Sequence, residues 1–354
     1  MLPMYTAIMS IIRHANVQID LSALQHNLGV VRKAAPHSKI MSVVKANAYG
    51  HGMADVVKAL YESDGYSVAC VNEGMLLRQH GVTKPILVLQ GALNMEEYRI
   101  ASILKMTLVI HEAAQLQLYR EFDDKQPDLW LKVDTGMHRF GFQPEDVESA
   151  MQVIGEHCSG LMTHFSDADD PKNPKTNEQN ALFDAVAQRF PLQRSAANSA
   201  AIITNRETHY DWVRPGIMLY GVTPLLGGYG KELGLRPAMT FSAPVAALKK
   251  LSAGDTVGYG SDFTCPNDMT VACVSVGYGD GYPRGAPLAT PVLLNGEKCR
   301  LVGRVSMDSI VVDVSHLKEC EVGDIAVLWG PDMPVEALAA NLNTLSYSLL
   351  CGVA

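Results

Sequence analysis

Short apolar runs alternate with amphipathic stretches over the first two-thirds of this chain of 354 residues. Each run has the length of a buried strand, and the stretches between runs have the spacing of helices that bury one face. Such alternation predicts a parallel sheet covered by helices. Eight runs fit, the last two weakly, and are predicted as strands: residues 39–45, 66–71, 85–90, 106–111, 129–134, 160–164, 194–198 and 212–214. Eight such units make a (β/α)8 barrel of the TIM type.

From about Arg236 the pattern changes. Runs rich in Val, Ile and Leu recur there, separated by turn pairs such as Gly254-Asp255 and Asn295-Gly296. Runs of this kind with turn residues at short intervals are typical of antiparallel sheets. We therefore expect two domains: a barrel of residues 1–235, including a short N-terminal extension, and an all-β domain of residues 236–354.

Composition narrows the classes of function. The net charge of −8 disfavours nucleic acid and anionic membranes as partners. No stretch has the length of a transmembrane helix, and residues 1–12 lack the pattern of a secretory signal. The seven cysteines include no Cys-x-x-Cys pair, so neither a metal site nor a disulfide framework is expected. Reduced thiols are typical of a cytoplasmic protein, and a cytoplasmic location is predicted.

The most informative segment is residues 43–52, Val-Val-Lys-Ala-Asn-Ala-Tyr-Gly-His-Gly. Lys45 follows a predicted buried strand, where a cation is costly unless it has a partner or a task. A lysine in such surroundings shifts its pKa readily and can act as a nucleophile that forms a Schiff base. A lone lysine at a strand end more often extends into solvent. The ten-residue context decides between these interpretations.

Further polar segments also follow predicted strands, at the end of the barrel where reactive groups lie. They contain Arg139, His164, the pair Asn198-Ser199, and the segment from Arg214 through Gly216 to Ile217. Each alone is weak, because a core histidine or a turn glycine explains it as well. Together with Lys45, these segments predict one site at one rim.

The segment of residues 43–52 resembles the pyridoxal phosphate attachment site of bacterial alanine racemases, whose pattern Val-Lys-Ala-Asn/Asp-Ala-Tyr-Gly-His-Gly is present in full. The resemblance runs from about residue 16 to the C-terminus and supports the two weak strands. It implies pyridoxal phosphate as the cofactor, with Lys45 carrying it and Tyr49 beside it. It also implies a homodimer that acts on alanine and has composite active sites.

The same resemblance implies roles for other cofactor-binding residues. Arg214 matches the arginine that faces the cofactor ring nitrogen, and His164 matches the histidine bonded to that arginine. Because a guanidinium group cannot accept a proton, the ring nitrogen should stay unprotonated, which would suppress side reactions. The remaining cofactor contacts, most of them to the phosphate, are expected from Asn198, Ser199, Gly216, Ile217 and Tyr347.

Racemisation needs a proton removed on one face of Cα and returned on the other, which two flanking groups do directly. Lys45 is expected to serve one face. Tyr259 matches the family's catalytic tyrosine, which reaches the partner subunit's site. Arg139 and the backbone of Met307 match the groups that bind the substrate carboxylate. Lys132 occupies a position that is carbamylated in many members.

The predicted function is interconversion of L- and D-alanine, for peptidoglycan synthesis or for alanine breakdown. Three alternatives stay open. A racemase for serine, lysine or another amino acid is one, because a single methylene changes pocket preference only modestly. A decarboxylase of the same fold is another, although those enzymes generally have an acidic residue where Arg214 lies. The third is a non-catalytic cofactor carrier, which would be a barrel without residues 236–354 and without Tyr259.

Overall fold

A closed barrel of eight parallel strands forms the first part of the structure, a computed structural model that describes residues 6–8 and 13–353. Two strands precede the barrel, β1 (Thr6–Ile8) and β2 (Asn16–Asp20). The barrel strands are β3 (Lys39–Val43), β4 (Gly65–Val68), β5 (Ile86–Val88), β6 (Thr107–Ile110), β7 (Asp128–Lys132), β8 (Cys158–Met162), β9 (Gln193–Asn198) and β10 (Trp212–Arg214). All eight overlap predicted strands, so the predicted barrel is confirmed.

Helices and short turns connect these strands and cover the barrel. They are α1 (Leu21–Ala34), α2 (Lys45–Tyr49), α3 (Met53–Ala59), α4 (Val71–Gln79), α5 (Met95–Ile103), α6 (Ala113–Glu121), α7 (Val147–Ile154), α8 (Lys175–Ala187) and α9 (Ser199–Thr204). Helix α1 begins where Asp20 caps it, since Oδ1 accepts the N–H groups of Ser22 and Ala23 at 2.8 and 3.1 Å. Its apolar face then packs onto the barrel.

The interior of the barrel is filled by side chains. Six buried residues from different strands form its inner cluster: Met41, Leu87, Val109, Trp130, Met162 and Trp212. The two tryptophan rings meet edge to face with their centroids 6.3 Å apart. Because this packing closes the barrel axis, polar groups can gather only at the rims.

The second domain is all-β, as predicted, and its strand pairs are antiparallel. Its strands are β11 (Met239–Leu251), β12 (Thr256–Val257), β13 (Phe263–Thr264), β14 (Met269–Val274), β15 (Pro291–Leu294), β16 (Glu297–Leu301), β17 (Ile310–Asp313) and β18 (Ile325–Trp329). Strand β11 pairs with both β14 and β18, so the main sheet closes on itself.

Strand β2 was not predicted from the sequence. It pairs with β11 in the second domain, with Ile19 opposite Met239. The chain therefore contributes a strand to the second domain's sheet before it enters the barrel. The predicted N-terminal extension of residues 1–12 lies outside the described residues, except for β1, which pairs with β2.

Two helices, α10 (Val335–Asn341) and α11 (Ser346–Cys351), follow β18. Helix α11 packs against the turn that follows β3, so closely that a Cβ built on Gly50 would lie 2.1 Å from the Leu350 carbonyl oxygen. This contact brings Tyr347 to the C-terminal rim of the barrel. Among the described residues, no helix is long and apolar enough to cross a membrane.

Candidate active site

Five basic side chains converge at the C-terminal rim of the barrel: Lys45 after β3, Lys132 at the end of β7, Arg139 on the loop after β7, His164 after β8, and Arg214 at the end of β10. We call these five residues the mouth cluster. Burial and repulsion between neighbouring positive charges lower the pKa values of Lys45, Lys132 and His164. These groups therefore share one small region of high positive potential.

This charge is not balanced by direct ion pairs. Within the described part of the chain, no salt bridge includes Lys45, Lys132, Arg139 or Arg214. Buried cations usually have a paired anion, because an unpaired charge is costly to desolvate. The mouth cluster is thus suited to bind an anionic ligand, such as a phosphate or a carboxylate.

Lys132 is the most deeply buried lysine of the cluster. Only 7% of it is exposed, and Nζ lies 5.5 Å from the centre of the Phe140 ring. Burial, with the nearby charges of Arg214 and Arg139, lowers the pKa of Lys132 to about 8. Near neutral pH a fraction of this amine is therefore uncharged and nucleophilic.

Arg214 is buried and held by several acceptors. Its guanidinium group donates to the carbonyl oxygens of Thr163 and Ala196 at 2.6 and 3.1 Å and to the Ser195 hydroxyl. It also donates to His164 Nδ1 at 3.4 Å. An arginine has no acceptor, so Nδ1 must be unprotonated and His164 neutral, in agreement with a pKa lowered well below 6.5 by burial and by Arg214. The pair forms a rigid cationic wall.

The backbone after Lys45 has an unusual conformation. Ala46, Asn47, Ala48 and Tyr49 all lie in the left-handed region, with φ between 51° and 56°. For L-residues this costs about 1–2 kcal/mol each, or roughly 4–8 kcal/mol for the four. Predicted strand 39–45 therefore ended two residues too late: β3 stops at Val43, and Lys45 opens this left-handed turn.

Several contacts hold the turn. The N–H groups of Ala48 and Gly50 donate to carbonyl oxygens four residues earlier, at 2.9 and 3.0 Å. The Ala46 N–H donates to Glu73 Oε1 at 2.7 Å. The Tyr49 ring stacks on Tyr220, with centroids 4.7 Å apart. Such strain is stored where surrounding contacts over-determine the backbone, which is common at functional sites.

A cradle of backbone and hydroxyl groups lies beside this turn. The Ser199 hydroxyl accepts the Gly216 N–H at 2.8 Å, and a 3₁₀ turn then begins at Ile217. A Cβ built on Gly216 would lie 2.5 Å from the Tyr49 hydroxyl, so only glycine fits. The first N–H groups of a helical turn have no partner inside it and can bind an anion. Tyr347 closes the cradle, with its ring 5.9 Å from that of Tyr49.

Asn198, the last residue of β9, caps the helix that follows the strand. Its side-chain oxygen accepts the Ala201 N–H at 3.0 Å and so caps the short helix α9. This cap orients Ser199, which begins the helix, toward the cradle. The expected cofactor contact of Asn198 stays a prediction.

The loop after β7 is organised around Asp134. Its Oδ1 accepts the N–H groups of Gly136, Met137 and His138 at 3.0–3.1 Å. Burial alone would raise the pKa of Asp134, but these hydrogen bonds and His138 outweigh burial and lower it. The folded loop presents Arg139, which is exposed, at the edge of the mouth cluster.

Tyr259 and Met307 lie elsewhere. Both belong to the second domain and are exposed, at 69% and 53%. Within the described part of the single chain, neither makes a hydrogen bond or aromatic contact with the mouth cluster. The Met307 carbonyl accepts the Gly279 N–H at 2.9 Å, which links its turn to the loop of residues 277–281, a loop with three glycines.

Two charged residues of this region were missed in the sequence. Arg13 forms ion pairs with Asp280 and Asp308 and so links the two loops next to Met307. Glu73 hydrogen-bonds the backbone next to Lys45. Nothing in the local pattern links Glu73 to Ala46 or Arg13 to its two aspartates, because these partners are distant in the chain.

The sequence and the fold are similar to those of known proteins. Residues 19–224 match the family model "Alanine racemase, N-terminal domain" and residues 238–354 match "Alanine racemase, C-terminal domain". A curated alanine racemase of Thioalkalivibrio sulfidiphilus is 46% identical over 351 residues, covering 96% of this chain and 97% of the relative. The solved biosynthetic alanine racemase of Pseudomonas aeruginosa has a TM-score of 0.93 at 41% identity, covering 97% of this chain and 98% of that one. A solved alanine racemase from Bartonella henselae, with covalently bound pyridoxal phosphate, has a TM-score of 0.88 at 29% identity, covering 96% of this chain and 97% of that one.

Proposed function

The chain belongs to the alanine racemase family and is an isomerase, and from this premise we propose that it interconverts L- and D-alanine with pyridoxal phosphate bound through Lys45. The observation that carries the proposal is that the mouth cluster, with the half-buried amine of Lys45 among unpaired cations, lies on one rim with the anion cradle. Neither feature is needed to stabilise a barrel. Together they suit a phosphate-bearing aldehyde that a lysine can capture.

The residues at this rim fit the cofactor. Gly216, Ile217 and the Ser199 hydroxyl would hold its phosphate, supported by Asn198 and closed by Tyr347. Arg214, oriented by neutral His164, would donate to the ring nitrogen. The chemistry that pyridoxal phosphate supplies when bound is an electron sink that acidifies the Cα–H bond of an attached amino acid.

Two groups of the protein would then move the proton. Lys45 Nζ serves one face of Cα, since burial and neighbouring cations lower the pKa of its amine and make the neutral base accessible. The hydroxyl of the partner subunit's Tyr259 serves the other face. Tyr259 is exposed in the single chain, as expected for a side chain that enters the active site of a second copy. Because the enantiomers have equal free energy in water, the residues change only the rate.

Three groups would orient the substrate carboxylate. Arg139, on the loop organised by Asp134, provides a guanidinium group, and the partner subunit's Met307 provides its backbone groups. Lys132 would act after its neutral amine adds CO2 and releases a proton, which converts a buried cation into an anion that pairs with Arg139. The pKa of about 8 supports this step, because the free amine is the reactive form. An intact mass under native conditions without the CO2 adduct would count against it.

A mixed dimer tests the two-base proposal. Lys45→Ala and Tyr259→Phe chains carrying different tags are co-expressed, and the dimer containing one of each is isolated. If each site takes Lys45 from one subunit and Tyr259 from the other, one of the two sites is intact and about half of wild-type activity is expected. If both groups belong to the same subunit, both sites are damaged and the mixed dimer is inactive.

A direct assay tests the reaction itself. Wild-type protein should show the visible absorption of lysine-bound cofactor and should exchange the Cα proton of L-alanine in D2O while D-alanine appears by proton NMR. Absorption without exchange on alanine would redirect the search to other amino acids. No absorption after addition of pyridoxal phosphate would refute the role of Lys45.

A further inference from the structure

The carboxylate of Glu73 joins two neighbouring strand ends at the barrel rim. Its Oε1 accepts the N–H of Ala46, the residue after Lys45, at 2.7 Å. Its Oε2 accepts the N–H of Ala69, the residue after β4, also at 2.7 Å. Each carboxylate oxygen thus binds one backbone donor, and both bonds have the short length of charge-assisted hydrogen bonds.

The first of these bonds bears on the left-handed turn. Ala46 is the first of the four consecutive residues with positive φ, and it directly follows the lysine. A hydrogen bond at this N–H restrains the backbone from which the Lys45 side chain extends. Because Glu73 lies on α4, the turn is tied to a regular helix of the barrel.

Glu73 also supplies negative charge where positive charge dominates. The charged groups that shift the pKa of the Lys45 amine are Arg139, Glu73 and Cys351, and the Lys45 charge in turn lowers the pKa values of Lys132 and His164. Burial and Arg139 lower the pKa of Lys45, and Glu73 opposes them by favouring the ammonium form. Within the described residues, Glu73 is the only carboxylate that acts on this amine.

We propose that Glu73 is a positioning residue for Lys45, which fixes the backbone after the lysine and offsets the cations around its amine. The proposal rests on the proposed function, in which Lys45 binds the cofactor and moves a proton. Glu73 then affects the rate of the reaction and its pH dependence. A residue that only caps a helix would affect stability alone.

The next helix of the barrel provides a matched control. Glu97 lies in the first turn of α5, is half-buried like Glu73, and accepts the N–H of Leu93, four residues earlier, at 2.8 Å. Glu73 accepts the Ala69 N–H with the same separation. Glu97 has no bond to the Lys45 turn. The substitution Glu97→Gln therefore removes a comparable charge and cap without the proposed coupling.

The first readout is the protonation of Lys45 in the full-length chain after its cofactor is removed. An amine-reactive reagent is applied across pH, and labelling of the peptide that contains Lys45 is measured by mass spectrometry. In Glu73→Gln the labelling midpoint should move to lower pH, because the amine is left among cations. In Glu97→Gln it should stay at the wild-type value. An unchanged midpoint in Glu73→Gln, or an equal change in both variants, overturns the charge role.

The second readout is turnover of the cofactor-loaded dimer. Glu73→Asp keeps the charge, but it is one methylene too short to reach both N–H groups. We expect kcat to fall about tenfold or more with little change in KM, while the labelling midpoint stays near that of wild type. Glu97→Asp should keep its kcat. A kcat of Glu73→Asp equal to that of wild type overturns the positioning role. This variant tests the role even if Glu73→Gln fails to fold.

The two proposals fail in different ways. If wild-type protein does not bind pyridoxal phosphate through Lys45 or does not racemise alanine, the proposed function is wrong. The labelling midpoints still report whether Glu73 acts on the Lys45 amine. If wild type is active and the Glu73 and Glu97 variants behave alike, only the inference about Glu73 is wrong.

Discussion

Replacing Lys132 with methionine should stabilise the cofactor-free protein in CO2-free buffer. Lys132 is 7% exposed and is in no salt bridge of the described residues, so its charge is desolvated without a paired anion. Methionine has a similar length, fills the same space and carries no charge. The substitution therefore removes an electrostatic cost and keeps most of the packing.

The magnitude follows from the pKa. Burial and neighbouring cations lower the pKa of Lys132 from 10.5 to about 8, which corresponds to about 3 kcal/mol. The folded chain loses this proton near pH 8 and the unfolded chain only near 10.5, so between these values the unfolded state binds more protons. Stability of the wild type must then rise with pH through this window. The penalty is fully present below pH 8 and absent above 10.5.

Urea unfolding of wild type and Lys132→Met across this pH range measures the difference. The variant should be more stable by up to about 3 kcal/mol at neutral pH, and the two curves should converge as pH rises toward 10.5. Adding bicarbonate should stabilise only the wild type, because its carbamate would pair with Arg139. A variant that is less stable than wild type at neutral pH, or a difference independent of pH, would falsify the reasoning.

Three further predictions concern the groups that support the site. Gly216→Ala should lower the free energy of unfolding by about 1–3 kcal/mol and weaken cofactor binding, because its Cβ would lie 2.5 Å from the Tyr49 hydroxyl. The control is Gly29→Ala, at a helix position where a Cβ would have nothing within 4 Å, and it should instead stabilise the protein by about 0.5–1 kcal/mol. Equal melting temperatures for the two variants would contradict this account. Asn27→Ala should cost at least about 2 kcal/mol in urea unfolding, because the buried amide makes three hydrogen bonds of 2.8–2.9 Å to the backbone, and a variant as stable as wild type would refute its role. Burial lowers the pKa of His51 to about 4, so the stability of the protein should fall as pH drops from 6.5 toward 4. In thermal melts of His51→Gln, the melting temperature should depend less on pH in this range. An unchanged pH dependence would show that other groups cause the loss of stability.

Local pattern sufficed for much of the fold. The first six barrel strands were located because buried strands and amphipathic helices have periods that can be read within ten to fifteen residues. The last two fitted only weakly and were supported by the family resemblance. Lys45 was identified because its neighbours in sequence form one continuous segment. Strand ends were less accurate: β3 ends at Val43 because the following residues enter a left-handed turn, which the intrinsic preferences of Ala and Tyr disfavour.

The sequence by itself thus determined the barrel, the all-β domain and the lysine at the rim, since each is encoded by neighbouring residues. Only the tertiary structure showed that β2 adds a strand to the second domain's sheet, that Arg13 links Asp280 to Asp308, and that Glu73 holds the turn after Lys45. These contacts join residues that are far apart in the chain. Their geometry depends on how distant segments of the chain pack against each other, so no local period or propensity reports it.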